Sequence, residues 1–289
     1  MNETSDSVLT GETGVIGRTL TPRTRASLAA DLRGLGVRPG DVLLVHSSLS
    51  ALGWVVGREL TVVEALLDAV GGGGTLVVPT QTGGNSDPAE WSHPPVPESW
   101  WDTIRAHLPA YDPATMPATG MGVVAEAVRT WPGALRSSHP QTSFAALGAR
   151  ASSLLAVHDL DCRFGLRSPL GALRAAGARV LLIGAGYDSC TAFHLAETLV
   201  PGAPEEEQAC AVVTGRGRAW VRYTDTVADE TDFVQIGAGL DATGAVRAGR
   251  VGSAVSRLFD LATGVAYATR WIRRHRGPAW QGGRSADTV

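Results

Sequence analysis

Asp41-Val42-Leu43-Leu44-Val45-His46-Ser47-Ser48-Leu49-Ser50-Ala51-Leu52-Gly53, read on to Thr75-Leu76-Val77-Val78-Pro79, decides the fold. Asp41–Val45 is a short apolar run and reads as a buried strand. His46–Gly53 is small and polar, a loop at the strand's carboxyl end. Thr61–Val70 repeats its apolar residues at the helical period, with Thr61 placed to cap the helix. Gly71–Gly74 is a turn, and Thr75–Pro79 a second strand. A strand, loop, helix and strand in that order imply two parallel strands joined by a right-handed crossover.

On the N-terminal side, Thr21–Leu35 predicts a helix with Pro22 in its first turn. On the other side, residues 81–119 break the pattern, being rich in Pro, Trp, Asp and Ser. So long an insertion implies a binding loop or lid, with a short helix over Glu98–Leu108. Further helices are expected over Gly122–Thr130, Thr191–Leu199 and Asp260–Arg274. Thr142–Gly148 and Val180–Gly184 read as strands, Val246–Val255 as strand-like. Cys210–Thr214 and Arg218–Tyr223 read as a hairpin around Gly215-Arg216-Gly217. The expected class is α/β: a mainly parallel central sheet, flanking helices, the long insertion and an α+β C-terminal part. Residues 18–275 are expected as a single domain, between a flexible N-terminus (1–17) and a flexible tail (276–289).

The chain has 289 residues, 25 basic against 28 acidic, for a net charge of -3. That balance excludes general nucleic-acid binding, which wants a basic face. A local acidic patch still suits a cationic small molecule. Lysine is absent, so every fixed cation is arginine. The cysteines Cys162, Cys190 and Cys210 are odd in number and widely spaced, which gives neither a disulfide framework nor a metal motif. A reducing, cytoplasmic setting is expected. No apolar run approaches the ~20 residues that span a bilayer, and Met1–Gly17 lacks the apolar core of a signal peptide. Monomer and homodimer are both compatible with the sequence.

Several motifs carry chemistry. In the loop after the first strand, Ser47, Ser48 and Ser50 offer hydroxyls, and small residues let backbone N–H groups face an anion. The plain alternative is a serine-rich turn. The tetraglycine Gly71–Gly74 ends a helix and reads as a turn, not a phosphate cradle. Around Gly184-Ala185-Gly186 the Val180 strand ends, and Thr191 is placed to cap a helix carrying His194 and Glu197. Residues i and i+3 share a helix face, so imidazole and carboxylate can meet. The pair is a general base with its orienting acid, a surface ion pair, or, least, a metal site short of ligands. Cys190, four residues before His194, is either a nucleophile or a small buried residue. His139, held extended by Pro140, is a turn histidine or a donor to a ligand oxygen. Trp91, Trp100 and Trp101 are core or a sugar-stacking wall, with at least one expected to face a ligand. Glu205-Glu206-Glu207 is a solvated run or the rim of a polyamine site.

Together, ordered segments resemble one family, the aminoglycoside 3-N-acetyltransferases. They are His46–Gly53, Pro94–Trp101, Tyr111-Asp112-Pro113, Thr119–Gly122, Arg136–Pro140, Ser168–Gly171, Leu181–Gly184, Thr191–Glu197 and Asp232–Gly237. The resemblance implies acetyl transfer from acetyl-CoA, without a metal, on a fold distinct from the common GNAT acetyltransferases. It implies His194 as base and Glu197 as its partner. It implies CoA contacts from His46, Ser47, Ser48, Leu49, Ser50 and Gly53, with Met121 and Gly122 along the pantetheine and Thr80 near the thioester oxygen. With a polycationic substrate in view, Asp87, Glu90, Asp112 and Asp232 are candidate ammonium partners by charge, beside His139. Two positions depart from the family pattern: Cys190 replaces a small polar residue, and Leu166-Arg167 replaces a Gly-Glu-type pair. Both are expected near the cleft, where an arginine weakens attraction for a polycation. Acetylation of a different amine, in biosynthesis or self-protection, and non-catalytic binding of CoA or a sugar are the alternatives.

Overall fold

Alternation along the strands sorts the core into two layers. The computed structural model describes residues 11–277 and Trp280. α1 (Gly11–Gly17) and α2 (Arg25–Leu35) precede β1 (Val42–Ser47). α3 (Arg58–Val70) crosses to β2 (Thr75–Pro79). The insertion carries α4 (Trp101–His107), followed by α5 (Val123–Arg129), β3 (Leu135–Arg136) and β4 (Phe144–Gly148). α6 (Ala151–Leu155) and α7 (Pro169–Ala175) lead to β5 (Arg179–Ile183) and α8 (Ala192–Thr198). The hairpin β6 (Glu205–Thr214) and β7 (Gly217–Thr226), α9 (Phe233–Ala242), the hairpin β8 (Arg247–Val251) and β9 (Ala254–Asp260), and α10 (Leu261–His275) complete the order.

The main sheet has seven strands in the order β3-β4-β2-β1-β5-β9-β8, and β6-β7 form a sheet of their own. β1 runs parallel to both β2 and β5, whereas β4 and β9 pair antiparallel on either side of that trio. The parallel part is therefore the buried centre. Leu43 and Val45 of β1 face the layer of α2, α3 and α5; Val42 and Leu44 face the layer of α7, α8, α9 and α10. Burial on both faces explains why β1 and β2 read as unbroken apolar runs.

Several local expectations shift. α2 starts at Arg25, not Thr21, because Thr24 caps it reciprocally with Ser27. Pro22 lies outside the helix, and Arg23 instead pairs with the loop at Val55. α3 starts at Arg58, ahead of Thr61, so Thr61 is interior and Gly57 stands at the cap. Thr191 makes no side-chain cap for α8, since its backbone is already helical after the turn Tyr187–Ser189. The strand-like Val246–Val255 is two strands of a hairpin, and that hairpin extends to Asp260, which caps α10. The β6–β7 hairpin is longer than expected and takes up Glu205–Glu207. The insertion is not loose: Asn85 exchanges two 2.9 Å hydrogen bonds with the backbone of Ala211, and Tyr111 N–H donates to the same carbonyl. The expected flexible N-terminus holds α1, and the part before residue 11 lies outside the described residues. Among the described residues no helix is long and apolar enough to cross a membrane.

Candidate active site

Two parallel strands end side by side, and that builds the site. His46 of β1 is in register with Leu182 of β5, and Ser47 with Ile183. The loops after both strands thus flank one crevice at the carboxyl edge of the sheet, the usual ligand position in α/β folds. Gly184 makes the exit from β5: it has φ +62°, and a Cβ there would come within 2.3 Å of the Ala51 Cβ. The chain then turns into α8 and delivers His194 to the crevice.

His194 Nδ1 lies 2.7 Å from Glu197 Oε2. Glu197 is 1% exposed, which excludes a surface ion pair. Its second oxygen, Oε1, accepts from Arg276 Nη1 at 2.6 Å and from the Asp229 N–H at 3.1 Å. A carboxylate so paired only accepts, so the imidazole proton sits on Nδ1 and Nε2 carries the lone pair. The ring stacks on Phe164 (4.6 Å, 20°) and tilts against Phe233 (4.8 Å, 56°). These contacts fix its plane, and Nε2 has no protein partner among the described residues.

Two crevices meet at His194. The larger, about 1090 Å³, is lined by His46, Ser47, Ser48, Leu49, Ser50, Gly53, Met121 and Gly122, together with His194. Those are all the expected CoA contacts except Thr80. Thr80 is fully buried; its hydroxyl shares hydrogen bonds with Ser143 and Arg136 and does not reach the crevice. The sequence reading missed Arg18, Trp54 and Arg58 on the same wall. Arg58 is the non-glycine with positive φ (55°) among the described residues, a backbone state that needs support from its surroundings. Burial, then the nearby His194, push His46 down to about 4, so it stands neutral in this wall.

The smaller crevice, about 620 Å³, carries Glu90, Glu206, Glu207 and Glu230 against Arg163. It shares Gln81, Glu230 and His194 with the larger one. Burial, reinforced by Glu206 and Asp87, raises the Glu90 carboxyl above its usual value. Of the five expected substrate contacts, only Glu90 lies here. Asp87 is clamped by Arg105 at 2.6 Å, which outweighs burial and holds its carboxyl low. Asp112 is exposed and caps the Ala114 N–H. Asp232 is bound by Arg276. His139 is buried, with Nε2 donating to the Leu160 carbonyl and Nδ1 accepting from backbone N–H groups, so it offers a ligand nothing. Burial and neighbouring His158 push it down to about 3. None of Trp91, Trp100 and Trp101 lines either crevice; Trp54 does.

The two departures also resolve. Arg167 is off both crevices and neutralised by Asp159 at 2.5 Å and Asp161 at 2.8 Å. It does not weaken the acidic wall. Cys190 is fully buried, outside both crevices, and burial pushes its thiol up to about 12. A thiol held that high is no nucleophile. Incubation with acetyl-CoA is accordingly expected to leave the intact mass unchanged, and Cys190→Ser to transfer at the parent rate. A 42 Da adduct on Cys190, the mass of one acetyl group, would refute this.

A histidine on the wall shared by two crevices, one rich in hydroxyls and carrying Arg18 and Arg58, the other acidic, suits an enzyme that moves a group between two bound molecules. The chain belongs to the aminoglycoside 3-N-acetyltransferase family, whose model matches residues 44–273. It is 42% identical over 259 residues to the SPbeta prophage-derived aminoglycoside N(3')-acetyltransferase-like protein YokD of Bacillus subtilis, covering 89% of this chain and 95% of that one. The crystal structure of YokD superposes with a TM-score of 0.90, covering 91% and 98% of the two chains at 40% identity. The solved structure of AAC-IIIb in binary complex with CoASH gives 0.79 at 34% identity, over 88% and 97%. That of AAC-VIa bound to sisomicin gives 0.79 at 32% identity, over 88% and 98%.

Proposed function

We propose that the protein moves an acetyl group from acetyl-CoA to the 3-amino group of an aminoglycoside, with His194 as general base and Glu197 as its orienting acid. The observation that carries this is the place of His194, on the wall shared by both crevices, with Nδ1 tied to a buried carboxylate.

The larger crevice fits CoA. Arg18, Arg58 and the hydroxyls of Ser48 and Ser50 suit phosphates, while Val45, Leu49 and Met121 suit the pantetheine arm. Acetyl-CoA supplies the activated acyl group. The smaller crevice fits a polyamine. Glu206 is paired with Arg163 and Glu207 with Arg222, whereas Glu90 and Glu230 have no ion pair among the described residues.

An ammonium has no lone pair, so the acceptor must lose a proton before it attacks. His194 Nε2 takes that proton, directly or through a water. Glu197 holds the tautomer and stabilises the imidazolium that forms. His194 can then return the proton to the departing sulfur. The Thr80 hydroxyl, already engaged, does not serve the developing oxyanion.

The direct test is thiol release from acetyl-CoA with a panel of aminoglycosides, sisomicin included, and assignment of the acetylated nitrogen by NMR. Release with at least one member and an N3 product are expected. Absence of release across the panel, together with no CoA binding, would remove this function.

A further inference from the structure

Arg276, the first residue after α10, reaches back to the dyad. Its side chain is 6% exposed. Nη1 donates to Glu197 Oε1 at 2.6 Å, Nε to Asp232 Oδ2 at 2.7 Å, and Nη2 to Asp232 Oδ1 and the Asp229 carbonyl at 2.5 Å each. The guanidinium also lies over the Trp280 ring, 4.6 Å from its centroid. This segment was expected to be a flexible tail; at Arg276 it is a strap.

We propose that Arg276 is a positioning residue for the His194–Glu197 dyad, fixing Glu197 so that Oε2 faces the imidazole and setting how tightly the dyad holds a proton. The proposal rests on His194 being the base. A buried carboxylate with one oxygen unpartnered is costly and turns or protonates to escape. Arg276 opposes both escapes: its Nη1 gives Oε1 a charged donor beside the Asp229 N–H, its Nε and Nη2 anchor it on Asp232, and its charge is permanent. With Glu197 and Asp232 counted against Arg276, the cluster carries one net negative charge while His194 is neutral. One proton from the acceptor amine brings it to zero. Other charged or titratable groups near the ring are Asp229, whose backbone touches both Glu197 and Arg276, His46 from β1, Asp188 from the turn before α8, and Glu230, Glu90, Glu206, Glu207 and Arg163 on the crevice walls. None of them replaces Arg276 at Oε1.

The test is the pH profile of kcat/KM for Arg276→Met, Arg276→Lys and Asp232→Asn, each checked for retained CoA affinity. In Arg276→Met the cluster gains a net negative charge, so its first proton binds more tightly whether His194 or Glu197 holds it. The acidic limb is expected to rise by about one pH unit, and the plateau kcat to fall about 10- to 100-fold as orientation is lost. Arg276→Lys keeps the charge and loses the fork, so the limb stays near the parent's while kcat still falls. Asp232→Asn makes the cluster less negative and moves the limb down. A purely structural role would lower thermal stability and leave every limb in place, which overturns the proposal. So would Asp232→Asn moving the limb upward. Should Arg276→Met fail to fold, the other two variants decide. Failure of the underlying base assignment looks different: His194→Ala would then retain transfer.

Discussion

His194→Ala is expected to lower kcat for acetyl transfer about 10³-fold, within the 10²- to 10⁴-fold range of general bases. CoA affinity is expected to stay near that of the parent, since the crevice is lined mainly by the β1 loop, α1, the start of α3 and the Gly120–Gly122 segment. Loss confined to kcat is the signature of an interaction made only in the transition state. Glu197→Gln is expected to fall less, about 10²-fold. The amide keeps the size but gives up the charge, and its single oxygen can accept from Arg276 or from the His194 Nδ1–H but not from both. Measurement is by stopped thiol release under saturating acetyl-CoA. A His194→Ala protein that still acetylates near the parent rate would place the base elsewhere. If it merely binds both ligands and neither protein turns over, a sequestering function would be left.

Mild acid is expected to unfold the free protein well above the pH at which its carboxylates are lost. His46, His139 and His158 are held neutral, pushed down to about 4, 3 and 4, in each case chiefly by burial. His158 has its own reasons to stay neutral, since Nδ1 meets the Ser137 hydroxyl and Nε2 donates to the Arg163 carbonyl. The unfolded chain protonates each near 6.5. Below that pH the unfolded state binds more protons than the folded one, so stability is full above 6.5 and drains as pH falls. At pH 5 the loss is about 2 kcal/mol per histidine, on the order of 6 kcal/mol for the three. Against a net stability of ~5–15 kcal/mol, that is a large fraction. The low-lying carboxyls of Glu126 and Asp87 add nothing until pH falls below their ordinary range, and the raised Glu90 carboxyl works the other way, one group against three, so the histidines dominate the window above about 4.5. Thermal midpoints at pH 7.5 and 5.0 check this, with a drop of at least about 10 °C expected. A flat midpoint across that window would mean the imidazoles take up protons in the folded state.

Those histidines also show where the sequence stops being readable. His139 and its Pro140 are plain in the chain, and a turn is implied. Its burial is not, because the covering residues come from distant segments: the rings of His158 and Tyr223 lie 4.7 and 6.0 Å away. The same holds for charge. The sign of Asp87, Asp112, Asp232 and Arg167 is visible in the sequence, but whether each is free depends on Arg105, Arg276, Asp159 and Asp161. Glu206 and Glu207 read most simply as a solvated run, with a polyamine rim as the second reading; strand pairing in β6 brought them to the acidic crevice.

The chain by itself determined the α/β class, the serine loop after β1 and the His194–Glu197 pair. Each of these is local: strand ends, i,i+3 spacing on one helix, small residues beside an apolar run. Tertiary structure alone decided the antiparallel flanks of the sheet, the aromatic bracket of Phe164 and Phe233, and the return of Arg276 to Glu197. The reason is range. Neighbouring residues constrain one another through backbone geometry, which composition records, whereas partners 79 positions apart, such as Glu197 and Arg276, meet only once the whole core has closed between them.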